Sequence, residues 1–420
     1  MHHVPFLEEA LRNLQQVFRR GLAWGSATRM LGRKRDIVEE FWDERTLKLC
    51  SKNAREIAPQ LFLNQLRAFL GASGKMWPTR SGSGALRQFL QSIVSAEKRD
   101  VLICSLNCPA VADAVISAGF RVDTFDLADT TGRVDWQIVA DQLRPRHKAL
   151  VVPHLFGAPT DFRPLLETAR KSGVILIEDC AHTLGGRIGD FTAGTLADAA
   201  IFSFNYDKPI SLGGGGILLV NNPSLWSKIR HETLPVSLEK EHRELNQFLK
   251  YLRRRRQDNN QARLLKKSLR PVIRGITLGA YGHKLFPVSG IGPLRAALGI
   301  EQLNRYPEIL KRRNANAGLF ADATRQSWYV GPDARPAWLK QKVVPADVEE
   351  GARISRSLRL QGLPVGTFNW SITIDQHLGL PVKPNAEYVA KHGLDIPIHQ
   401  NMERIELETI CRAFGGEFVT

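Results

Sequence analysis

A chain of 420 residues exceeds what one hydrophobic core serves and calls for a large domain and a smaller one. Its 43% hydrophobic and 8% aromatic content is that of a soluble globular protein. No run approaches the roughly 18 apolar residues of a membrane span, and the first twenty residues mix acids into their apolar positions, which argues against a secretory leader. The net charge of +16 is uneven: residues 251–274 hold nine Lys or Arg against one Asp, half of the excess in one segment. Two readings of that segment stand, a solvated helical face or an arm that binds an anionic partner such as a membrane surface, nucleic acid or a phosphorylated substrate. The five cysteines, Cys50, Cys104, Cys108, Cys180 and Cys411, are odd in number and scattered. That pattern fits reduced thiols packed in the core of a cytoplasmic protein better than a disulfide framework.

Taken in chain order, residues 1 to about 70 read as helical with broken periodicity. From residue 80 short apolar runs alternate with helical stretches. The runs are "VLICSL" (101–106), "RVDTFDL" (121–127), "ALVVPHLFG" (149–157), "VILIEDC" (174–180), "AAIFSF" (199–204) and "GILLVNN" (216–222). Strands apolar on both faces and separated by helices imply a mostly parallel sheet covered on both sides, a doubly wound α/β domain. The basic segment follows, with leucines interleaved as in an amphipathic helix pair. Then "RAALGIEQLNRYPEILKRRNANAGLF" predicts a long amphipathic helix. The last hundred residues mix short strands ("KQKVVPA", "LPVGTF") with a terminal helix, "MERIELETICRAFG", as in a smaller α+β domain.

In a doubly wound sheet, ligands bind at the carboxyl ends of the strands, so the residues there carry the chemistry. In "TRSGSGALRQFL" (79–90) small residues run into a helix, where free N–H groups attract phosphate; an ordinary serine N-cap explains the stretch equally well. "ILIEDCAH" ends a buried strand in Glu178 and Asp179, with His182 just beyond. A carboxylate leaving the core is costly without a cation, though it also caps turns. "FSFNYDKPISLGGGG" (202–216) ends a strand at Ser203, places Lys208 in a turn and follows it with four glycines. A P-loop has its glycines first, so that reading is excluded. Together the three stretches offer a phosphate cradle, an acid for a pyridinium nitrogen and an amine for an aldehyde. That is the equipment of pyridoxal phosphate (PLP) enzymes. No metal site is expected: Cys104 and Cys108 are too far apart for a CxxC pair, and no second pair follows.

At these residues the sequence resembles the DegT/DnrJ family of sugar aminotransferases, of the PLP-dependent aspartate aminotransferase superfamily, over about residues 75–225 and 286–417. "SGSGAL" is similar to the family's phosphate-binding turn, which implies Gly82, Ser83 and Gly84 at the cofactor phosphate. "VVPHLFGAPTDFRPLLETARKSGVILIEDCAHTLGG" resembles the long family signature, which implies Asp179 at the pyridine nitrogen and His182 near the ring's phenolic oxygen. "FSFNYDKP" resembles the lysine motif, which implies a Schiff base at Lys208 and a phosphate contact at Ser203. "GPLRAALGIEQLNRYPEILKRRNANA" and "IPIHQNM" are similar to the small-domain elements.

The chain departs from the family pattern at two places. Cys108 stands where an aromatic residue stacks on the ring. Val288 and Gly290 stand where an Asn and an Arg reach the phosphate of a neighbouring subunit. The chain is expected to divide into a helical N-terminal segment (1–70), a large domain (71–224) that the resemblance makes PLP-binding, a basic helical insertion (225–285) and a small C-terminal domain (286–420), the first and third unlike ordinary members of the family. The resemblance implies a homodimer that moves an amino group from an amino acid, glutamate foremost, to a keto group of a nucleotide-linked sugar. It brings no dedicated nucleic-acid domain. Two other functions are weighed beside it: the same cofactor with a non-sugar substrate or another reaction, and a non-catalytic protein that binds an anionic partner through residues 251–274.

Overall fold

The computed structural model of the protein describes residues 44–54, 58–230, 236–257, 290–366 and 370–416. Among the described residues up to Val220 nine strands form: β1 (Lys75–Thr79), β2 (Asp100–Cys104), β3 (Arg121–Phe125), β4 (His147–Pro153), β5 (Ile175–Asp179), β6 (Arg187–Ile188), β7 (Phe191–Thr192), β8 (Ala199–Ser203) and β9 (Gly216–Val220). Seven of them make one sheet in the order β1-β9-β8-β5-β4-β2-β3, with β6 and β7 outside it. Neighbouring strands from β8 to β3 are parallel, whereas β9 runs antiparallel to both β8 and β1. The expected α/β fold with a mostly parallel sheet is the one observed. All six predicted runs are strands. β1 was not predicted: "KMWPT" is short and mixed, and its proline is tolerated because the strand lies at the sheet's edge.

One sheet face is covered by helices Gly82–Ser92 and Pro109–Ser117, through Leu86, Phe89, Val111 and Val115. The other face near β8 and β9 is covered by helix Ala58–Leu70 and the long helix Pro293–Thr324, which meet around Phe62, Leu66, Leu294, Leu298 and Tyr306. Phe62 packs edge-on to Phe204, just past the end of β8, with ring centroids 5.7 Å apart. The long helix is present as expected and carries Pro307 within it. Beyond it come β10 (Ala334–Arg335), β11 (Gln341–Val343), helix Val348–Leu360, β12 (Leu394–Ile396) and the terminal helix Arg404–Ala413. Of the expected strand in "LPVGTF", only a single bridge, Gly366 to Asp395, is seen, and residues 367–369 lie outside the described residues.

Cys50, Cys104, Cys180 and Cys411 are buried, as packing residues should be, and Cys108 is half-buried. Of the basic segment, residues 251–257 continue helix Leu238–Gln257, and 258–274 lie outside the described residues, as do 1–43. The inner end of that helix is fastened to the core. Buried Glu241 accepts from the N–H groups of Gly292 (2.9 Å) and Leu294 (2.8 Å) at the start of the long helix, where a carboxylate also meets the positive end of the dipole. Arg295 adds ion pairs to Glu241 (3.4 Å) and Glu244 (2.8 Å). No helix among the described residues is long and apolar enough to cross a membrane.

Candidate active site

Every residue singled out at the strand ends falls on one edge of the sheet. β1 runs in the same direction as β8, so the turn after β1 joins the turns after β2, β4, β5 and β8. The turn after β1 is built by Ser81, which caps helix Gly82–Ser92 from an extended conformation and accepts the Gly84 N–H at 3.0 Å. The serine N-cap reading of this stretch is the one the hydrogen bonds show. The serine is an N-cap, and the first N–H groups of the helix remain directed outward from its positive end. Ser83 Oγ lies 3.1 Å from Ser81 Oγ.

The glycines explain how two loops share this corner. A Cβ on Gly82 would lie 2.9 Å from the Cβ of Ser203, so the serine turn and the end of β8 meet only because residue 82 has no side chain. A Cβ on Gly216 would lie 2.5 Å from the Ser81 carbonyl carbon and 2.6 Å from the Gly82 nitrogen, both backbone atoms. Gly215, at φ +97°, donates to the Arg80 carbonyl at 3.0 Å. The glycine run therefore forms the floor beneath the serine turn. Gly216→Ala should destabilise the protein by about 1–3 kcal/mol through overpacking. Thermal melting checks this; an unchanged melting temperature would contradict the packing.

Glu178 and Asp179 are consecutive in β5 and point to opposite faces. Glu178 is structural. It accepts N–H groups from Gly194 (2.7 Å), Leu196 (2.9 Å) and Ala197 (2.9 Å) and pairs with His154 Nε2 at 2.9 Å. His154 Nδ1 accepts the Thr160 N–H at 3.0 Å, so Nε2 carries the proton and donates. Asp179 has a different environment. Its carboxylate accepts the Ala181 N–H at 3.1 Å, and burial raises its pKa, opposed by the nearby Lys208 charge. Asn107 is buried beside it and helps hold the carboxylate in its charged form.

Lys208 sits in a turn held by backbone bonds. Its N–H donates to Asn205 O at 3.2 Å, and Leu212 and Gly214 both donate to Phe204 O, at 2.9 and 3.1 Å. Gln302 of the long helix clamps the turn, accepting from Ser211 N at 2.8 Å and donating to Ser211 O at 2.6 Å. A turn lysine is ordinarily solvated, yet this side chain is only 13% exposed, with Asp207 3.5 Å from its ammonium. The Lys208 ammonium is near enough to act electrostatically on Cys108, Asp179 and His182, each of which lies at or just past the end of a strand. Cys108 caps helix Pro109–Ser117, and burial pushes its thiol pKa up.

His182 is buried, and burial together with Lys208 and Lys340 holds its pKa well below the usual histidine value. Its Nδ1 accepts the Phe156 N–H at 3.3 Å, so the neutral ring keeps its proton on Nε2. Trp370 stacks on it at 5.2 Å and 7° between planes, and Phe156 at 5.9 Å and 27°. Both aromatic residues have positive φ (45° and 57°), a strained state that the ring stack holds in place. A folded histidine with a depressed pKa contributes stability above its unfolded pKa of about 6.5, lost as pH falls toward the folded value. His182→Gln should therefore lose less thermal stability on acidification from neutral pH than the wild type. An equal loss would show that His182 does not carry the effect.

Sequence reasoning missed Phe156, Trp370, Gln302 and Lys340, because each reaches the site through tertiary packing. Only "HLFG", with a glycine after the aromatic residue, hinted at an irregular turn. The departure at Gly290 is explained locally. That residue has φ +126°, its carbonyl accepts from Arg295, and Ile291 packs where a Cβ on Gly215 would go. Arg295 itself turns inward to Glu241 and Glu244, and Val288 lies outside the described residues. His154, Glu178 and Cys180 cluster within metal-ligand reach, but the donor atoms of His154 and Glu178 are already engaged in hydrogen bonds.

The sequence pattern that defines the DegT/DnrJ/EryC1/StrS aminotransferase family matches residues 57–415. The chain is 25% identical over 371 residues to the spore coat polysaccharide biosynthesis protein SpsC of Bacillus subtilis, a match covering 84% of this chain and 88% of that one. It is 29% identical over 205 residues to the GDP-perosamine synthase of Caulobacter vibrioides, covering 49% of this chain and 54% of the relative. Among solved structures, AtS13 from Actinomadura melliaura superposes with a TM-score of 0.70 at 18% identity, over 92% of this chain and 98% of that one, a likeness of fold.

Proposed function

The chain belongs to the DegT/DnrJ/EryC1/StrS aminotransferase family, and on that footing we propose that it is a PLP-dependent enzyme of amino-sugar biosynthesis. It passes an amino group from glutamate to a keto group of a nucleotide-linked sugar. The observation that supports the reading is that Asp179 at the end of β5, Lys208 after β8 and the serine turn after β1 lie at the same end of the sheet, with Gly82 against Ser203. The cofactor fits what is there. A glycine-lined corner suits a phosphate, and Asp179 is a buried carboxylate that a protonated ring nitrogen would meet.

When bound, PLP supplies an aldehyde for the amine and an electron sink for the charge left by proton removal. Gly82, Ser83, Gly84 and Ser203 would hold the phosphate, Asp179 would keep the ring nitrogen protonated, and His182 Nε2–H would donate toward the phenolic oxygen. Cys108 would offer the ring less stacking surface than an aromatic residue. Lys208 Nζ would be the amine that holds the cofactor and the base that takes the donor's α-proton. The nucleotide-linked acceptor follows from relatives such as GDP-perosamine synthase. A cytoplasmic homodimer belongs to the same proposal, with the neighbour's phosphate contact of the family weakened by Gly290.

A panel of keto-sugar nucleotides supplied with glutamate tests the proposal. Release of 2-oxoglutarate that depends on one of them is the expected result. Release that is the same without any keto-sugar would remove the acceptor from the reading.

A further inference from the structure

Late in the chain, residues 370–378 return to the strand ends of the large sheet. Thr373 caps a short helix, Ile374–Leu378, through a capping box, and Ile374 joins the core cluster of Val111 and Val115 in helix Pro109–Ser117. Asp375 follows it and is fully buried. Both of its carboxylate oxygens are engaged. One accepts from Thr124 Oγ1 in β3 at 2.6 Å; the other accepts from Ser105 Oγ, just past β2, and from the Lys383 N–H at 3.2 Å. The two hydroxyls belong to residues 251 and 270 positions earlier in the chain. A buried carboxylate is costly unless donors meet it, so this one ties the late segment to the strand ends with some force.

What it ties down leads to the site in two directions. The Ser105 carbonyl accepts both the Ile374 N–H (2.9 Å) and the Asn107 N–H (3.1 Å), while the Ser105 N–H donates to Phe125 O at 2.9 Å. Asn107 Oδ1 in turn accepts the Cys108 N–H at 2.7 Å. The turn 105–108 is therefore held by β3 on one side and by residues 374–375 on the other, and it carries Asn107 to Asp179. In the other direction Trp370, five residues before Asp375, stacks on His182. His377 pairs with Asp113 at 3.1 Å as a second tie, but that pair is solvated and contributes little.

We propose that Asp375 is a positioning residue, which pins residues 370–378 across the ends of β2 and β3 and so sets Asn107 against Asp179 and Trp370 against His182. Its effect on the cofactor rests on the aminotransferase reading above; its hold on the turn does not. Asp179 also faces Lys208 from the turn after β8 and His154 from the end of β4, so Asn107 is the contact through which Asp375 reaches it.

Asp375→Asn keeps the shape, removes the charge and turns an amide donor toward groups that are themselves donors. In the full chain without cofactor, hydrogen exchange followed by mass spectrometry should show the amides of residues 105–109 exchanging about tenfold faster, with those of β8 and β9 unchanged. Titration with PLP over a range of pH should show about tenfold weaker binding. The window in which affinity rises with pH should also move upward, because Asn107 favours the charged form of Asp179. Added to Asn107→Ala, the substitution should weaken PLP no further, since both act on one contact. A merely structural role would lower the melting temperature and leave the window in place. Ser105→Ala, which removes one donor and leaves two, carries the same measurements if Asp375→Asn melts early.

Wild-type exchange at residues 105–109 would overturn the inference, as would an unmoved pH window or losses that add in full with Asn107→Ala. A wild-type protein that binds no PLP would sink the aminotransferase reading instead, and the exchange rates would still decide whether Asp375 holds the turn.

Discussion

Replacing Lys208 by alanine is expected to abolish amino transfer while leaving the protein folded. The proton-transfer role alone is worth about 10²–10⁴-fold, and loss of the amine that holds the cofactor adds to it. The fold should survive because the turn does not depend on the side chain. Residues 205–216 are held by bonds to the Phe204, Arg80 and Asn205 carbonyls and by the Gln302 clamp. The ion pair to Asp207 is long, and Asp207 is 40% exposed, so its loss costs little. Circular dichroism should therefore match wild type while the visible absorbance of the lysine-bound cofactor disappears. A Lys208→Ala protein that still turns over would refute the assignment.

The second large effect is expected at Asp179. Asp179→Asn keeps the shape and the bond from Ala181 N–H but removes the charge. An opposite charge at contact shifts a pKa by about 1–3 units, so the ring nitrogen should lose its proton that much more readily and turnover should fall about 10- to 1000-fold. Burial holds this carboxyl above the usual range in the free protein. The folded chain therefore favours the protonated acid, and that contribution to stability fades as pH rises through the raised pKa. Cation binding does the reverse by expelling the proton. Cofactor affinity should accordingly rise with pH across that window in wild type and stay flat in Asp179→Asn. A variant with wild-type turnover and the same pH dependence would remove Asp179 from the site.

Much of this architecture was legible because its signals are local. The six apolar runs were strands because a parallel sheet is buried on both faces, and five ended within two residues of the predicted end, while β4 stops at Pro153, four residues short, where a tight turn begins. Asp179, Ser203 and Lys208 were found from position at strand ends. Other parts were illegible for equally physical reasons. β1 carries no alternation, since an edge strand with a proline needs none. Glu178 and Asp179 look equivalent in sequence, and only the three N–H groups at residues 194–197 show that the first is structural. Trp370 lies 188 residues from His182 in the chain, and Lys340 reads as one more cation in a basic protein until the fold sets it over Phe156. Contacts across such separations follow from packing, which no periodicity records.

The account's central claim, that Lys208 and Asp179 serve a bound PLP in amino transfer, is tested most directly by a visible absorption spectrum of the purified protein before and after adding glutamate. The account predicts an absorption band of lysine-bound cofactor that shifts to the shorter wavelength of the aminated cofactor with glutamate and returns on adding an accepted keto-sugar nucleotide. A protein that binds no PLP, or whose band is indifferent to glutamate and every other amino acid, would contradict it.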